Sequence, residues 1–293
     1  MKKKIAGLLV AAVMVTSALV GCGTNTAETE AAETNAAVEA NTVEDNAVAE
    51  GTEAAEVIIE SGDGVLVVGF DQDFPPMGFV GASGEFEGFD LDLAAEVANR
   101  LGKEVQYQPI AWDAKDMELE SGNIDCVWNG FTINGREDKY TWTDAYMNNS
   151  QVFVVKGDSG ITTPADLAGK VVEVQMDSSG EAAIEAATEL VASFQTLTKV
   201  ADYNTAFMDL ESGAADAIVM DDIVASYQIE QRDANFVILE EALAPEEYGV
   251  GFKLGNEELR DQVQAALEEM AADGTMAEIS NKWFAKDITI IGK

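Results

Sequence analysis

Strand and helix signals alternate along this chain from Val65 to Phe284, and the alternation predicts an α/β fold built as two units. Short apolar runs such as 65–70, 151–155 and 217–220 sit between polar or glycine-containing stretches, the pattern of strands buried on both faces. Between them lie segments with a helical period, of which 88–102 is the clearest. With 293 residues and 47% hydrophobic composition, the chain has material for one large core or two smaller ones.

The elements follow in order. Residues 65–70 read as a strand. In the helix at 90–102, Leu91, Ala94, Ala95, Ala98 and Leu101 share one stripe, Asp90 is placed to cap the first turn, and Gly102 ends it. A strand is expected at 104–110, a helix from about 112 to 121, and strands at 124–128 and 151–155. Thr163, Pro164 and Gly169 frame a short helix with cap, N1 proline and terminal glycine. Then come a strand at 171–175, helices at 180–192 and 205–212, a strand at 217–220, a helix at 222–231, and strands at 236–239 and 248–252. Helices at 257–272 and 275–284 finish the chain. One unit spans 59–154 and a second 155–247; the closing helices within 248–293 need a sheet to pack on.

Composition narrows the function. Asp and Glu number 54 against 17 Lys and Arg, a net charge of −37. Such a chain repels phosphate backbones and anionic membrane surfaces, so nucleic acid is excluded as a partner and membrane association needs a tether. There is no His, which removes the commonest general base and metal ligand and any Ser-His-Asp or Cys-His site. The scattered carboxylates read as a solvated face, so no metal and no cofactor are expected.

Residues 1–21 are a targeting segment: Lys2, Lys3 and Lys4, then an apolar stretch. Leu19-Val20-Gly21-Cys22 resembles a bacterial lipobox, which makes Cys22 the expected site of lipidation. Residues 22–58 hold the lipidated Cys and an acidic tether, rich in Ala, Thr, Glu and Asn, with too little apolar bulk to offset the entropy of ordering. Cys126 is then alone in an apolar run, a buried and inert thiol.

Beyond periodicity, the string GFDLDLAAEVANRLG at 88–102 closely resembles the signature of the polar amino-acid-binding proteins of ABC importers, and further strings match in order over about 65–290. The resemblance implies a two-lobed, periplasmic-binding-protein-like type II fold, with a hinge, a ligand cleft and a chain that returns to the first lobe at its end. It also implies a function: an extracytoplasmic, lipid-anchored monomer that captures an amino acid and hands it to a permease. The alternatives are a receptor for a separate signalling partner and a dehydratase-like enzyme on the same fold.

The resemblance carries site roles residue by residue. In 71–79, Phe74 falls on the aromatic that stacks on the ligand and Asp71 on the acid that meets its side chain; Trp112 sits where relatives carry a second aromatic. The segment 129–136, from Asn129 to Arg136, matches the family's Gly-x-Thr-x-Thr-x-Glu-Arg with one residue fewer. There Arg136 implies a fork onto the α-carboxylate, joined by Thr132, while the Gly130 carbonyl accepts from the ammonium. In 175–180, Gln175, Ser178 and Ser179 fall where relatives offer hydroxyls and backbone N–H groups at a helix N-terminus, and Asp177 stands where Gly is common. Asp221 matches the partner of the α-ammonium and Asp222 follows it; the sequence leaves open which of the two fills that role and which caps a helix.

Overall fold

The computed structural model describes residues 64–293 except Asp233. The expected leader at 1–21, Cys22 and the tether to 58 lie outside the described residues.

The chain opens with β1 (Val65–Phe70), a small hairpin sheet of β2 (Asp73–Phe74), β3 (Gly78–Val80) and β4 (Phe86–Glu87), and α1 (Phe89–Arg100). Then come β5 (Glu104–Pro109), α2 (Lys115–Ser121), β6 (Cys126–Val127), β7 (Thr141–Trp142) and the long β8 (Met147–Lys156). The second half contains β9 (Val171–Gln175), α3 (Ser179–Ala186), α4 (Thr188–Ser193), β10 (Thr196–Val200), α5 (Tyr203–Ser212), β11 (Ala217–Asp221), α6 (Asp222–Gln231), β12 (Phe236–Ile238) and β13 (Ala244–Tyr248). It ends with β14 (Gly251–Phe252), α7 (Glu257–Asp273) and α8 (Thr275–Phe284).

Two sheets organise these elements. The first has the order β5-β1-β6-β14-β7, parallel over β5, β1 and β6, with β14 antiparallel to both its neighbours. The second has the order β10-β9-β11-β8-β12, with β13 also paired to β8. Each is covered on both faces, which explains the continuous apolar runs. Leu66 and Val68 of β1 join the core under α1, while Val67 between them joins the cluster of Trp112, Phe131 and Tyr140. Val152 and Val154 likewise face one core, and Phe153 and Val155 the other.

Several expectations change. The second sheet holds β8 whole, so the boundary expected at 155 lies some residues too late; the chain leaves the first sheet after β7. The run expected as one strand at 248–252 is two: β13 ends at Tyr248 in the second sheet and β14 starts at Gly251 in the first, so this run is a crossing between sheets. The helix expected at 180–192 breaks at Ala187, whose ψ of 58° is not helical. Only Cys126 and Val127 of the expected strand at 124–128 pair. Cys126 itself is fully buried, and burial pushes its thiol pKa up.

Asp90 does not cap α1. The N-cap is Gly88, without a side-chain bond, and the Asp90 carboxylate turns inward. It accepts from the Gly130 N–H at 2.6 Å and the Tyr146 hydroxyl at 2.9 Å, fastening the loop after β6 to the first helix. Burial lifts its carboxyl from 3.8 to about 7. The fold therefore keeps a proton that the unfolded chain gives up between about pH 4 and 7, so stability from this group falls as pH rises through that window. Asp90→Asn cannot titrate and retains an acceptor for the Gly130 N–H. It is expected to match the parent near pH 4 and to exceed it increasingly toward pH 7, by up to about 4 kcal/mol. Calorimetric unfolding across that range reads the difference; a difference that does not change with pH contradicts a protonated Asp90.

Candidate functional site

Loops at the carboxyl ends of β1, β6, β9 and β11 converge on one cavity, the place where open α/β sheets present side chains to a ligand. Its free volume is about 10 Å³, roughly the space of one water molecule. From the first sheet's side it is lined by Phe74, Trp112, Asn129, Gly130, Thr132 and Arg136, and from the second by Gln175, Ser178, Ser179 and Asp221. Asp71 is displaced. It lines an adjoining solvent-open cleft with Asp73, Trp112 and Asp202, and accepts from the Gln175 side chain at 2.7 Å.

The aromatic wall is packed. Phe74 lies 6.0 Å from Tyr203, ring centre to ring centre, and Trp112 meets Phe131 edge to face at 5.5 Å. Gly130 has φ of 55°, and a Cβ there would stand 3.1 Å from both Phe74 and Tyr248, so only glycine fits. The Asn129 carboxamide oxygen accepts from the Asp71 N–H at 3.1 Å; its buried nitrogen, beside Gly78, has no hydrogen-bond partner among the described residues.

Despite the shortened spacing, Arg136 lines the cavity. A turn at Gly135, with the Arg136 N–H donating to the Ile133 carbonyl at 2.8 Å, takes up the missing residue. The guanidinium lies 5.3 Å from the Phe131 ring centre and donates to the Thr132 carbonyl at 3.4 Å and to the Asp177 carbonyl, across the cleft, at 3.2 Å. Asp177 has φ of 57°, the left-handed region that glycine favours. That matches the glycine common at this position, and here the strained residue carries a carboxylate that pairs with Lys115.

On the second side, the cap of α3 is Ser178, which accepts from the Glu181 N–H at 3.0 Å. Ser179 is thereby free to face the cavity, 3.1 Å from the Thr132 hydroxyl. Asp221 is buried at 3% exposure and accepts from Tyr248 and from Asn149. Asp222 turns away into a separate surface groove. Burial first, then the facing Glu246 carboxylate, pushes the Asp221 carboxyl well above the usual range. Burial also raises Asp71, to about 6, against hydrogen bonds from Asp73 and Gln175.

Sequence reading missed Lys115, Asn149, Gln151, Glu246 and Tyr248. Glu246 and Tyr248 share one face of β13, and Asn149 and Gln151 one face of β8. Polar residues alternating on the edge of an apolar run were the available signal. Among the described residues no group of His, Cys, Asp and Glu is placed to hold a metal, and no helix is long and apolar enough to cross a membrane.

Two α/β lobes, a crossing by extended segments and a polar cavity between the lobes define a solute-binding protein of the type II periplasmic class. The chain belongs to the bacterial extracellular solute-binding proteins, family 3, whose family model matches residues 66–286. It is 34% identical over 229 residues to the L-cystine-binding protein TcyJ of Escherichia coli, covering 77% of this chain and 85% of that protein. Among solved structures it resembles an ABC uptake transporter substrate-binding protein from Streptococcus pneumoniae with bound histidine. The TM-score is 0.74 and the identity 35%, over 77% of this chain and 94% of that one. An ancestral arginine-binding protein bound to glutamine gives a TM-score of 0.71 at 38% identity, over 76% and 99%.

Proposed function

We propose that this protein captures an α-amino acid with a polar side chain outside the cell membrane and delivers it, without turnover, to an ABC-transporter permease. One observation carries the reading. A guanidinium from one lobe, Arg136, and a buried carboxylate from the other, Asp221, line the same small cavity. That charge pattern complements a zwitterion, with Arg136, Thr132 and Ser179 toward the carboxylate and Asp221 and the Gly130 carbonyl toward the ammonium. Phe74 and Trp112 enclose the side chain. Asp71 and the adjoining acidic cleft favour a side chain that donates hydrogen bonds or carries positive charge. Relatives named for cystine, and bound to histidine or glutamine, agree with such a class.

The ligand bridges the lobes and favours their closed arrangement, about a hinge at the crossings after β7 and after β13. The protein acts as a monomer held at the membrane by lipid on Cys22, with 1–21 as its leader and 22–58 as its tether.

Removing either charged anchor leaves a ligand charge unpaired, at a cost of roughly 3–5 kcal/mol, or hundreds-fold and more in affinity. Arg136→Ala and Asp221→Ala are each expected to lose binding to that extent in calorimetric titrations, with Asp222→Ala close to the parent. Binding by Arg136→Ala within a few-fold of the parent contradicts the carboxylate assignment. For the anchor, Cys22→Ser is expected to release the protein from the membrane fraction or to leave its precursor uncleaved; unchanged retention and cleavage overturn that assignment.

A further inference from the structure

A second buried carboxylate stands next to Asp221. Strand β8 puts Asn149 and Gln151 on one face, with Glu246 of β13 opposite Asn149 and Asp221 of β11 opposite Gln151. The Asn149 carboxamide nitrogen donates to Glu246 at 2.6 Å and to Asp221 at 3.1 Å. Its oxygen accepts from the Ile223 N–H at 3.2 Å, which fixes the amide with its nitrogen toward the acids. Gln151 and the Thr132 hydroxyl both donate to Glu246 at 2.9 Å, and Tyr248 donates to Asp221. Every one of these donors is neutral.

The other ionisable groups around the pair bring no compensating contact. Tyr203 of α5 is fully buried, with its hydroxyl pKa raised by burial and then by Asp221. Asp71 lies beyond Gln175, and Asp90 beyond Tyr146. Arg136 reaches the cavity from the first lobe but bonds to backbone carbonyls. Among the described residues neither Asp221 nor Glu246 forms an ion pair. Two like charges in such a place are not both ionised unless a cation joins them.

We propose that Asp221 keeps a proton beside Glu246 and that the ligand's α-ammonium displaces it, so that capture of the amino acid releases a proton to solvent. The step balances. The carboxyl O–H bond breaks, its proton leaves to water, and the carboxylate so formed accepts an N–H from an ammonium that keeps all its own protons. The pair carries one negative charge before; after, two negative charges face one positive charge. Glu246 does not line the cavity and acts through Asp221, as a positioning residue that sets when the proton leaves. The inference rests on the amino-acid reading above. Affinity then rises with pH by at most about tenfold per pH unit, until the free protein has lost the proton.

Two measurements test it. The first needs no ligand: infrared difference spectra of the parent against Asp221→Asn across a pH titration are expected to show a protonated carboxyl band that weakens with rising pH. Absence of that band overturns the proton on Asp221, whatever the ligand proves to be. The second uses calorimetry in buffers of different ionisation enthalpy, with the tightest binder among the common L-amino acids and L-cystine as probe. The parent is expected to release about one proton per ligand at pH values where that band is present. In Glu246→Gln the midpoint of that release, and of the rise in affinity, moves down by about one pH unit or more. Binding without proton release, or an unmoved midpoint in Glu246→Gln, overturns this inference and leaves the amino-acid reading standing; a panel with no binder overturns that reading itself.

Discussion

The register of β8 between β11 and β13 is the constraint on which the cavity depends. Asp221 faces Gln151 across one side of β8, and Glu246 faces Asn149 across the other. A slip of one residue in either pairing sends those polar side chains to the opposite face, where Val152 and Val154 belong to an apolar core. The apolar alternation of β8 therefore holds the polar alternation beside it in place. The segment between β7 and that strand forms one crossing between the sheets, and β13 running into β14 forms the other. Hydrogen bonds from the Tyr146 N–H to the Tyr248 carbonyl and from the Ile290 N–H to the Tyr146 carbonyl, both 2.9 Å, bind these crossings and the C-terminal segment together.

Across the cavity the lobes meet mainly through polar contacts. Lys115, nearly fully buried at the start of α2, donates to the Asp177 carboxylate and, at 3.1 Å, to its carbonyl. Asn204 reaches Asp73 at 2.8 Å, and Gln175 reaches Asp71. Two aromatic pairs, Phe74 with Tyr203 and Phe79 with Tyr227, complete the seam. Each polar contact exchanges water for protein at a small net gain, so these contacts alone hold the lobes together modestly and a ligand that ties both adds to them. Asp177 sits in the left-handed region so that its carboxylate meets Lys115, an example of backbone strain kept at a site where the chain must close.

Much of the fold was legible because buried strands and amphipathic helices leave periodic signals over many residues. The strands at 65–70, 171–175 and 217–221 and helices α6 and α7 lie within a residue of expectation. Strands of two residues, such as β7 and β14, have no period to read, and the hairpin of β2 to β4 follows turn geometry around Pro75 and Gly78. The residues lining the cavity were legible where they sit in contiguous strings, at 129–136 and 175–180. Asn149, Glu246 and Lys115 were not, because their role is created by a cross-strand pairing or a contact between lobes, which local polar alternation does not specify. Asp90 was misread for the same reason: a carboxylate in the first turn of a helix looks like a cap until the loop at Gly130 is seen against it.

Under the proposed function, one zwitterion gripped from both sides draws the two lobes together. Small-angle X-ray scattering on the protein at saturation with its amino acid, against the same sample without it, tests this most directly. A smaller radius of gyration in the bound sample is the expected result; identical radii at full occupancy contradict closure by the ligand.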